Sequence, residues 1–264
     1  MEKTLDYATI RLEVTGGIAT LVLNQPDSLN ALSIQMMQDL RQAVVRLESE
    51  SAVRALVVTG AGRAFCAGAS QAPGNAAPPD DPDYLVRDLY NPLIAQLVEL
   101  RVPKLAAVNG VAAGAGMSLA LACDIVVAAR SAYFLPAFVN QALVPDSGAT
   151  WHLPRALGAA RATAFMMLNA RLPAQQAADW GMIWACVDDE ALQAEAGKLA
   201  SQLAQGPTVA LAQTPKLVRV AQTHTLAQQL QAELEGQRLA RVTSDRREAQ
   251  RAFAEKRKPE FSGR

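Results

Sequence analysis

Two glycine-rich segments and one acidic residue are the parts of this chain whose residue types and spacing suggest chemistry. The segments cover residues 64–69 and 109–116, and each follows a short apolar run that is typical of a buried strand. Glycine and alanine let a ligand come close to the backbone. Two such turns can direct two free N–H groups at one point, which is how a developing oxyanion is held. Taken singly, each segment is also consistent with simple tight-turn geometry.

The acidic residue is Asp146, in the sequence Pro145-Asp146-Ser147-Gly148. A carboxylate beside an oxyanion site can take a proton from a substrate and later return it. The alternative role is structural, because Pro-Asp-Ser-Gly is a good type I turn and an aspartate there can cap the following helix. The residues alone leave both roles open.

Composition excludes several classes of function. Lysine plus arginine and aspartate plus glutamate balance at 25 each, which gives no support for a nucleic-acid or membrane surface. Half of the chain is hydrophobic, yet no unbroken apolar stretch approaches the roughly 18 residues of a membrane span. The N-terminus lacks an apolar signal core, and the three cysteines have no metal-binding or disulfide-framework spacing. We therefore expect a cytoplasmic protein.

The strands that must position the two segments follow from apolar patterning. We expect strands at 18–23, 55–59, 104–108, 124–128 and 183–187. Each glycine-rich segment then directly follows a strand, and the second one leads into a helix from about residue 115. Repetition of strand, turn and helix indicates an α/β layered fold.

The helices are predicted from apolar spacing and from capping and breaking residues. Ser33 is the expected N-cap of a first helix, in which Met37, Leu40, Val44 and Leu47 recur at helical spacing. Further helices are expected over 84–100 and 173–181, and after Asp188 only helices, with a break at Gly206-Pro207. The stretch 71–83 is predicted to be a mobile loop.

Several motifs in order resemble the crotonase (enoyl-CoA hydratase/isomerase) superfamily along nearly the whole chain. They are the two glycine-rich segments together with residues 21–26, 28–32 and 253–259. The resemblance implies a ββα spiral core over 1–190 that holds a CoA-thioester site. It also implies a C-terminal helical region over 191–264 that serves oligomerisation and completes the CoA site.

The same resemblance implies the ligands and partners. The substrate is an acyl-CoA thioester, no separate cofactor is required because coenzyme A is part of the substrate, and no metal is expected. Neither nucleic acid nor membrane is an expected partner, and the chain is expected to form a homotrimer or homohexamer.

Site residues are carried over from the superfamily position by position. The backbone N–H groups of Ala69 and Ala115 are expected to form the oxyanion hole, with Ala115 near a helix N-terminus whose dipole favours an anion. The expected substrate and CoA contacts are Arg63, Ala67, Gly68, Gly114, Gly116, Met117, Phe138, Val144, Phe253 and Lys256. For Arg63 and Lys256 the alternative is a solvated surface charge.

Two positions argue against the hydratase reaction. Hydratases of this superfamily use two glutamates to place and activate water, and the matching positions here are Ser118 and Phe138. Neither residue can deprotonate water at neutral pH. Hydration by the usual pair of carboxylates is therefore disfavoured.

Asp146 is the acid that remains. The stretch 143–155 resembles ring-1,2-epoxyphenylacetyl-CoA isomerases and some Δ3,Δ2-enoyl-CoA isomerases, in which an aspartate at this place is the acid and base. We expect burial beside Phe138, Val144 and Met117 to raise the pKa of Asp146, because desolvation disfavours the charged carboxylate.

These expectations favour an acyl-CoA isomerase with Asp146 as the proton shuttle, acting on a C=C bond or an epoxidised ring. Two alternatives stay open. One is another crotonase reaction, hydration or hydrolysis, with water held by an unrecognised group. The other is a non-catalytic CoA-thioester binding protein, which the loss of both glutamates favours and the retained Asp146 and glycine turns oppose.

Overall fold

The computed structural model describes residues 3–78 and 80–264, so Met1, Glu2 and Pro79 lie outside it. Two β-sheets form the centre of the described chain. The strands are β1 (Lys3–Asp6), β2 (Ile10–Thr15), β3 (Ile18–Leu23), β4 (Ala55–Gly60), β5 (Ala64–Cys66), β6 (Lys104–Val108), β7 (Val111–Ala113), β8 (Ile125–Ala129), β9 (Tyr133–Leu135), β10 (Leu172–Pro173) and β11 (Ala185–Val187).

Helices surround the sheets. They are α1 (Ile34–Ser49), α2 (Asn91–Glu99), α3 (Ala115–Leu121), α4 (Ala149–Leu157), α5 (Ala159–Leu168), α6 (Ala174–Asp179), α7 (Leu192–Gln205), α8 (Thr208–Ala221), α9 (Leu226–Arg241) and α10 (Ser244–Ala254). A π-helical turn, Leu85–Tyr90, precedes α2, and short 3-10 turns occupy Pro26–Ser28, Phe138–Gln141 and Asp189–Ala191.

The chain winds between the two sheets as a spiral. The larger sheet has seven strands in the order β1-β2-β3-β4-β6-β8-β11, and the smaller has four in the order β10-β9-β7-β5. The pairs β4–β5, β6–β7 and β8–β9 each place one strand in the larger sheet and the next in the smaller. The pairings β3–β4, β4–β6 and β6–β8 are parallel, as are β5–β7 and β7–β9. This is the expected ββα spiral.

Apolar strands and helix faces account for the layering. All five residues of β6 are buried, as are five of the six residues of β4, which is typical of parallel strands covered on both faces. The helix α1 begins where predicted, because the Ser33 hydroxyl accepts a hydrogen bond from the Met36 N–H at 3.1 Å. Its apolar stripe is buried in the core, at Met36, Met37, Leu40, Ala43, Val44 and Leu47.

The helix predicted over 84–100 differs from the observed structure. Its first part is a π-helical turn, in which the Asn91 N–H donates to the Val86 carbonyl. The cause lies in Pro92, which has no N–H for the Asp88 carbonyl that a regular helix would pair with it. The Arg41 guanidinium donates to that carbonyl instead, at 2.8 Å.

Of the C-terminal helices, the first packs on the larger sheet and the next packs chiefly on another helix. The first of them, α7, packs against β4, β6 and β8. Its buried side is made of Leu192, Ala196, Ala200 and Ala204. The next helix, α8, packs chiefly on α9. The division at residues 190 and 191 therefore cuts off a helix that still covers the sheet, and its functional meaning stays a prediction. Within the described residues no helix is both long and apolar enough to cross a membrane.

Candidate active site

The first glycine turn is held by a short parallel bridge between residues 67–70 and 29–32. The Ala67 N–H donates to the Leu29 carbonyl at 3.0 Å, and the Leu32 N–H donates to the Gly68 carbonyl at 2.7 Å. The Ser70 N–H in turn donates to the Leu32 carbonyl at 3.1 Å. In a parallel bridge the residue between two bonded groups directs its own N–H the other way. Among the described residues the Ala69 N–H has no hydrogen-bond partner.

The second glycine turn leads from β7 into α3. The Gly114 N–H donates to the Leu135 carbonyl at 2.9 Å, and Gly114 has a φ of 51° and a ψ of −127°, a conformation that favours glycine. Ala115 is the first residue of α3, so its N–H has no acceptor inside the helix. The dipole of the helix adds partial positive charge at this end.

The two turns meet backbone to backbone. A Cβ atom built on Gly68 would lie 2.8 Å from the Ala113 carbonyl oxygen and 3.7 Å from the Ala115 nitrogen. A Cβ atom built on Gly114 would lie 4.0 Å from the Gly68 Cα. The structure therefore brings the predicted oxyanion residues Ala69 and Ala115 to one place, as the sequence pattern requires.

Two asparagines fix the chain that leads into the first turn. The Asn109 side chain accepts from the Gly60 N–H at 3.1 Å and donates to the Gly62 carbonyl at 2.9 Å. The Asn30 amide is fully buried and donates to the Ala61 and Ala64 carbonyls at 2.9 and 2.8 Å. These hydrogen bonds fix the backbone of residues 60–64, which leads into the first glycine turn.

Replacement of Asn109 by alanine is expected to lower the free energy of unfolding by about 1–3 kcal/mol, because it removes the partners of the Gly60 N–H and the Gly62 carbonyl. Urea denaturation measures this loss. The matched control is Asn24→Ala, whose exposed side chain makes no hydrogen bond within the described part of the chain. Equal stability of the two variants would contradict the role assigned to Asn109.

Asp146 lies in a turn that differs from the predicted one. The Ala149 N–H donates to the Asp146 carbonyl at 2.9 Å, which closes the turn. The central residues Ser147 and Gly148 have φ values of 51° and 82°, whereas a type I turn needs negative φ at both. The N-cap of α4 is Gly148 and carries no side-chain cap, so Asp146 lies in a turn, as the structural alternative allowed, but does not cap the helix.

The carboxyl group of Asp146 is half-buried and has one hydrogen-bond donor among the described residues. The Ser147 hydroxyl donates to Oδ1 at 2.9 Å. Burial raises the pKa of Asp146, and the Ser147 hydrogen bond opposes that rise only in part. The expected direction of the pKa shift is confirmed. A raised pKa brings a carboxyl group closer to the value that suits a base which must later act as an acid.

The two positions matched by resemblance to the hydratase glutamates, Ser118 and Phe138, are both buried. Ser118 is fully buried, and its single hydroxyl proton is shared between the Gly114 carbonyl oxygen, 3.5 Å from Oγ, and the Asp146 carbonyl oxygen, 3.4 Å from Oγ. It thus links the start of α3 to the turn that carries Asp146. Phe138 opens a 3-10 turn and is 8% exposed within the core.

Three residues predicted to contact the substrate have different surroundings, and their contact with a substrate stays a prediction. Val144 is 80% exposed, so it does not bury Asp146 as expected, because the segment before the turn runs over the surface. Met117 has no exposed surface and packs in the core. A Cβ atom on Gly116 would lie 2.6 Å from the Cys66 sulfur, so this glycine packs α3 against the first turn.

The residues assigned to coenzyme A lie on the surface. Arg63 is exposed just before β5, and Ala67 is half-buried in the first turn. Phe253, near the end of α10, is 88% exposed, and Lys256 lies beyond that helix with a φ of 54°. Contact of these side chains with coenzyme A stays a prediction.

Two other titratable side chains, Cys66 and His152, are uncharged at physiological pH. Burial raises the pKa of the Cys66 thiol to about 12, so it stays protonated. Burial, with nearby arginines, lowers the pKa of His152 to about 4, so this imidazole is neutral at physiological pH.

Tyr90 is a residue that the sequence analysis did not select. It is 5% exposed, at the junction of the π-helical turn and α2. Burial raises the pKa of its hydroxyl, and the nearby charge of Asp146 raises it further. The sequence signal was the interruption of the helix at Pro92, which marks a local distortion.

Comparison with known proteins agrees with this geometry. The family model for enoyl-CoA hydratase/isomerase matches residues 13–264. The 1,2-epoxyphenylacetyl-CoA isomerase of Escherichia coli K12 is 45% identical over 254 residues, which are 95% of this chain and 97% of that protein. The 4-chlorobenzoyl coenzyme A dehalogenase-2 of an Arthrobacter species is 35% identical over 202 residues, 75% of this chain and 73% of that protein.

A solved structure is similar over the same length. The crystal structure of an enoyl-CoA hydratase from Polaromonas sp. JS666 has a TM-score of 0.88 at 34% identity and covers 96% of this chain and 99% of that one. The family match, the spiral fold and the meeting of the two glycine turns lead to one conclusion. The chain belongs to the enoyl-CoA hydratase/isomerase (crotonase) superfamily and is one of its acyl-CoA enzymes.

Proposed function

We propose that this enzyme is an acyl-CoA isomerase that uses Asp146 as a single proton shuttle beside an oxyanion hole formed by the Ala69 and Ala115 N–H groups. The proposed substrates are 2-(1,2-epoxy-1,2-dihydrophenyl)acetyl-CoA, a trans-3-enoyl-CoA, or both. The observation that carries the proposal is the position of the Asp146 carboxylate. It is half-buried and its pKa is raised. Its turn is linked through the Ser118 hydroxyl to α3, the helix that begins with the Ala115 N–H.

The chemistry needs one base and one oxyanion site. The α-proton of a thioester is weakly acidic, so its removal requires that the enolate oxygen be stabilised. One well-placed N–H donor contributes about 3–4 kcal/mol to that stabilisation. In a trans-3-enoyl chain the Asp146 carboxylate takes the proton from C2 and returns it at C4, and no water enters the products. On the epoxidised ring the same carboxylate assists ring opening.

Hydration is the less favoured reaction. The name of the Polaromonas structure is that of a hydratase. In this chain, however, the two positions that hold the hydratase glutamates carry a buried serine bonded to backbone carbonyls and a buried phenylalanine. Without a second carboxylate, no group assigned here activates water, and this supports isomerisation.

The proposal extends to coenzyme A and to the assembly. Arg63, Phe253 and Lys256 are assigned to the nucleotide part of coenzyme A, supported by their exposure on the surface. No further cofactor is part of the proposal. A homotrimer or homohexamer is proposed, supported by large apolar side chains left exposed on the C-terminal helices, among them Leu226, Leu230, Leu239 and Val242.

The proposal is tested with trans-3-hexenoyl-CoA and the epoxide substrate in deuterium oxide. We expect conversion of at least one substrate, with deuterium at C2 or C4 of recovered material and no oxygen incorporated from labelled water. Mass spectrometry measures both isotopes. Formation of a 3-hydroxyacyl-CoA as the main product would instead establish a hydratase, and binding of both thioesters without any turnover would establish the non-catalytic alternative.

A further inference from the structure

Tyr90 has an environment that a packing role alone does not require. Its side chain is 5% exposed, yet among the described residues its hydroxyl makes no hydrogen bond. It is also not one of the polar atoms that are sealed from solvent without a partner. The phenol oxygen therefore opens onto space that solvent or a ligand can enter.

Helix geometry directs Tyr90 towards the turn that carries Asp146. Tyr90 and Ile94 are four residues apart and so share one side of the helical segment. A Cβ atom built on Gly148 would lie 3.8 Å from the Ile94 methyl carbon Cγ2, so this side of α2 packs on the turn 146–149. The widened π-helical turn ends at Tyr90, and such turns are frequent at functional sites.

The geometry points to Tyr90 as a specificity residue whose hydroxyl donates a hydrogen bond to an oxygen atom carried by the acyl group. The inference rests on the proposed function and narrows it to an oxygen-bearing ring, such as the epoxide, over a hydrocarbon enoyl chain. Tyr90 would touch the substrate beside Asp146 and take no part in the proton transfer itself.

The distribution of donors supports this assignment. The thioester oxygen is met by the Ala69 and Ala115 amides, and the Asp146 carboxylate can only accept while it serves as the base. Because burial and the nearby Asp146 charge raise its pKa, the phenol of Tyr90 stays protonated and remains a donor. An unbranched enoyl chain offers that donor no acceptor, and an unpaired polar group in a closed site weakens binding.

The test is Tyr90→Phe with a matched pair of ligands, 2-hydroxyphenylacetyl-CoA and phenylacetyl-CoA. Isothermal titration calorimetry is expected to show about a 3- to 10-fold loss of affinity for the hydroxylated ligand and less than a twofold change for the other. The control is Tyr7→Phe, at the half-buried turn between β1 and β2. It should leave both affinities unchanged.

Turnover supplies the second readout. In Tyr90→Phe the kcat/KM for the epoxide is expected to fall about tenfold, while that for trans-3-hexenoyl-CoA stays within about twofold. Equal losses for both ligands would show a structural role, and no loss for either would show no role, so each result overturns the inference. The binding arm needs no catalysis, so a wild-type protein that lacks isomerase activity refutes the proposed function separately.

Discussion

Replacement of Asp146 by asparagine is expected to lower the isomerisation rate about 10²- to 10⁴-fold, because the amide cannot take up or return the substrate proton. The loss should fall on kcat, since the thioester oxygen and coenzyme A are bound by other groups. Asparagine has nearly the same shape and can still accept the hydrogen bond that the Ser147 hydroxyl donates. Steady-state kinetics on the better of the two proposed substrates measures the effect.

The control for this variant is Asp179→Asn, an exposed carboxylate at the end of α6. Its kinetics should match the wild type, and both variants should bind an acyl-CoA with unchanged affinity. Turnover by Asp146→Asn within a few-fold of the wild type would refute the assigned role, whatever else the enzyme does.

The raised pKa of Asp146 also predicts how Asp146→Asn changes the stability of the protein and how the wild-type rate depends on pH. Burial makes the folded protein hold this proton more tightly than the unfolded chain does, so ionisation of Asp146 opposes folding as the pH rises past the unfolded value. Asparagine removes that opposition. We therefore expect Asp146→Asn to be at least as stable as the wild type at neutral pH, and the wild-type rate to fall as the pH drops through the raised pKa.

Replacement of Gly68 by alanine is expected to lower kcat about 10²- to 10³-fold, which is the effect of losing one oxyanion donor. The new Cβ atom would lie 2.8 Å from the Ala113 carbonyl oxygen, so the two glycine turns must separate. That separation moves the Ala69 N–H away from the Ala115 N–H. The φ of 94° adds strain, and together the two effects are expected to lower the free energy of unfolding by about 1–3 kcal/mol.

Gly158→Ala is the matched control for Gly68→Ala. Gly158 also has a positive φ, 75°, but a Cβ atom built there meets nothing within 4 Å. Urea denaturation should show the smaller loss for Gly158→Ala, which carries the positive-φ strain without the clash, and kinetics should show the large kcat loss only for Gly68→Ala. A kcat for Gly68→Ala as high as that of Gly158→Ala would mean that the meeting of the two turns does not serve catalysis.

Local features of the sequence were sufficient to predict most of the elements. The strands predicted at 18–23 and 104–108 are confirmed. They could be predicted because the burial of a strand is visible in the apolar residues of one short segment. The start of α1 at Ser33 is confirmed because a capping hydroxyl acts over only three residues. The break at Gly206-Pro207 is also confirmed, because α7 ends just before these two residues and α8 begins just after them.

The tertiary structure decided the shape of the site. The turn at Asp146 has positive φ at both central residues, and Ser118 bonds to its first carbonyl from α3, a helix distant in sequence. Val144 is exposed although its neighbours in sequence are near the site. In the π-helical turn that ends at Tyr90, Pro92 leaves the Asp88 carbonyl free, and the remote Arg41 donates to it.

The sequence by itself thus determined which residues could hold an oxyanion and carry a proton, because glycine, alanine and aspartate have those capacities wherever they stand. Only the tertiary structure decided that Gly68 and Gly114 lie close enough for a Cβ atom built on Gly114 to be 4.0 Å from the Gly68 Cα, and that the Asp146 carboxyl is half-buried with a raised pKa. The physical reason is that contact and desolvation depend on atoms from segments far apart in the chain. No local pattern records which of those segments will meet.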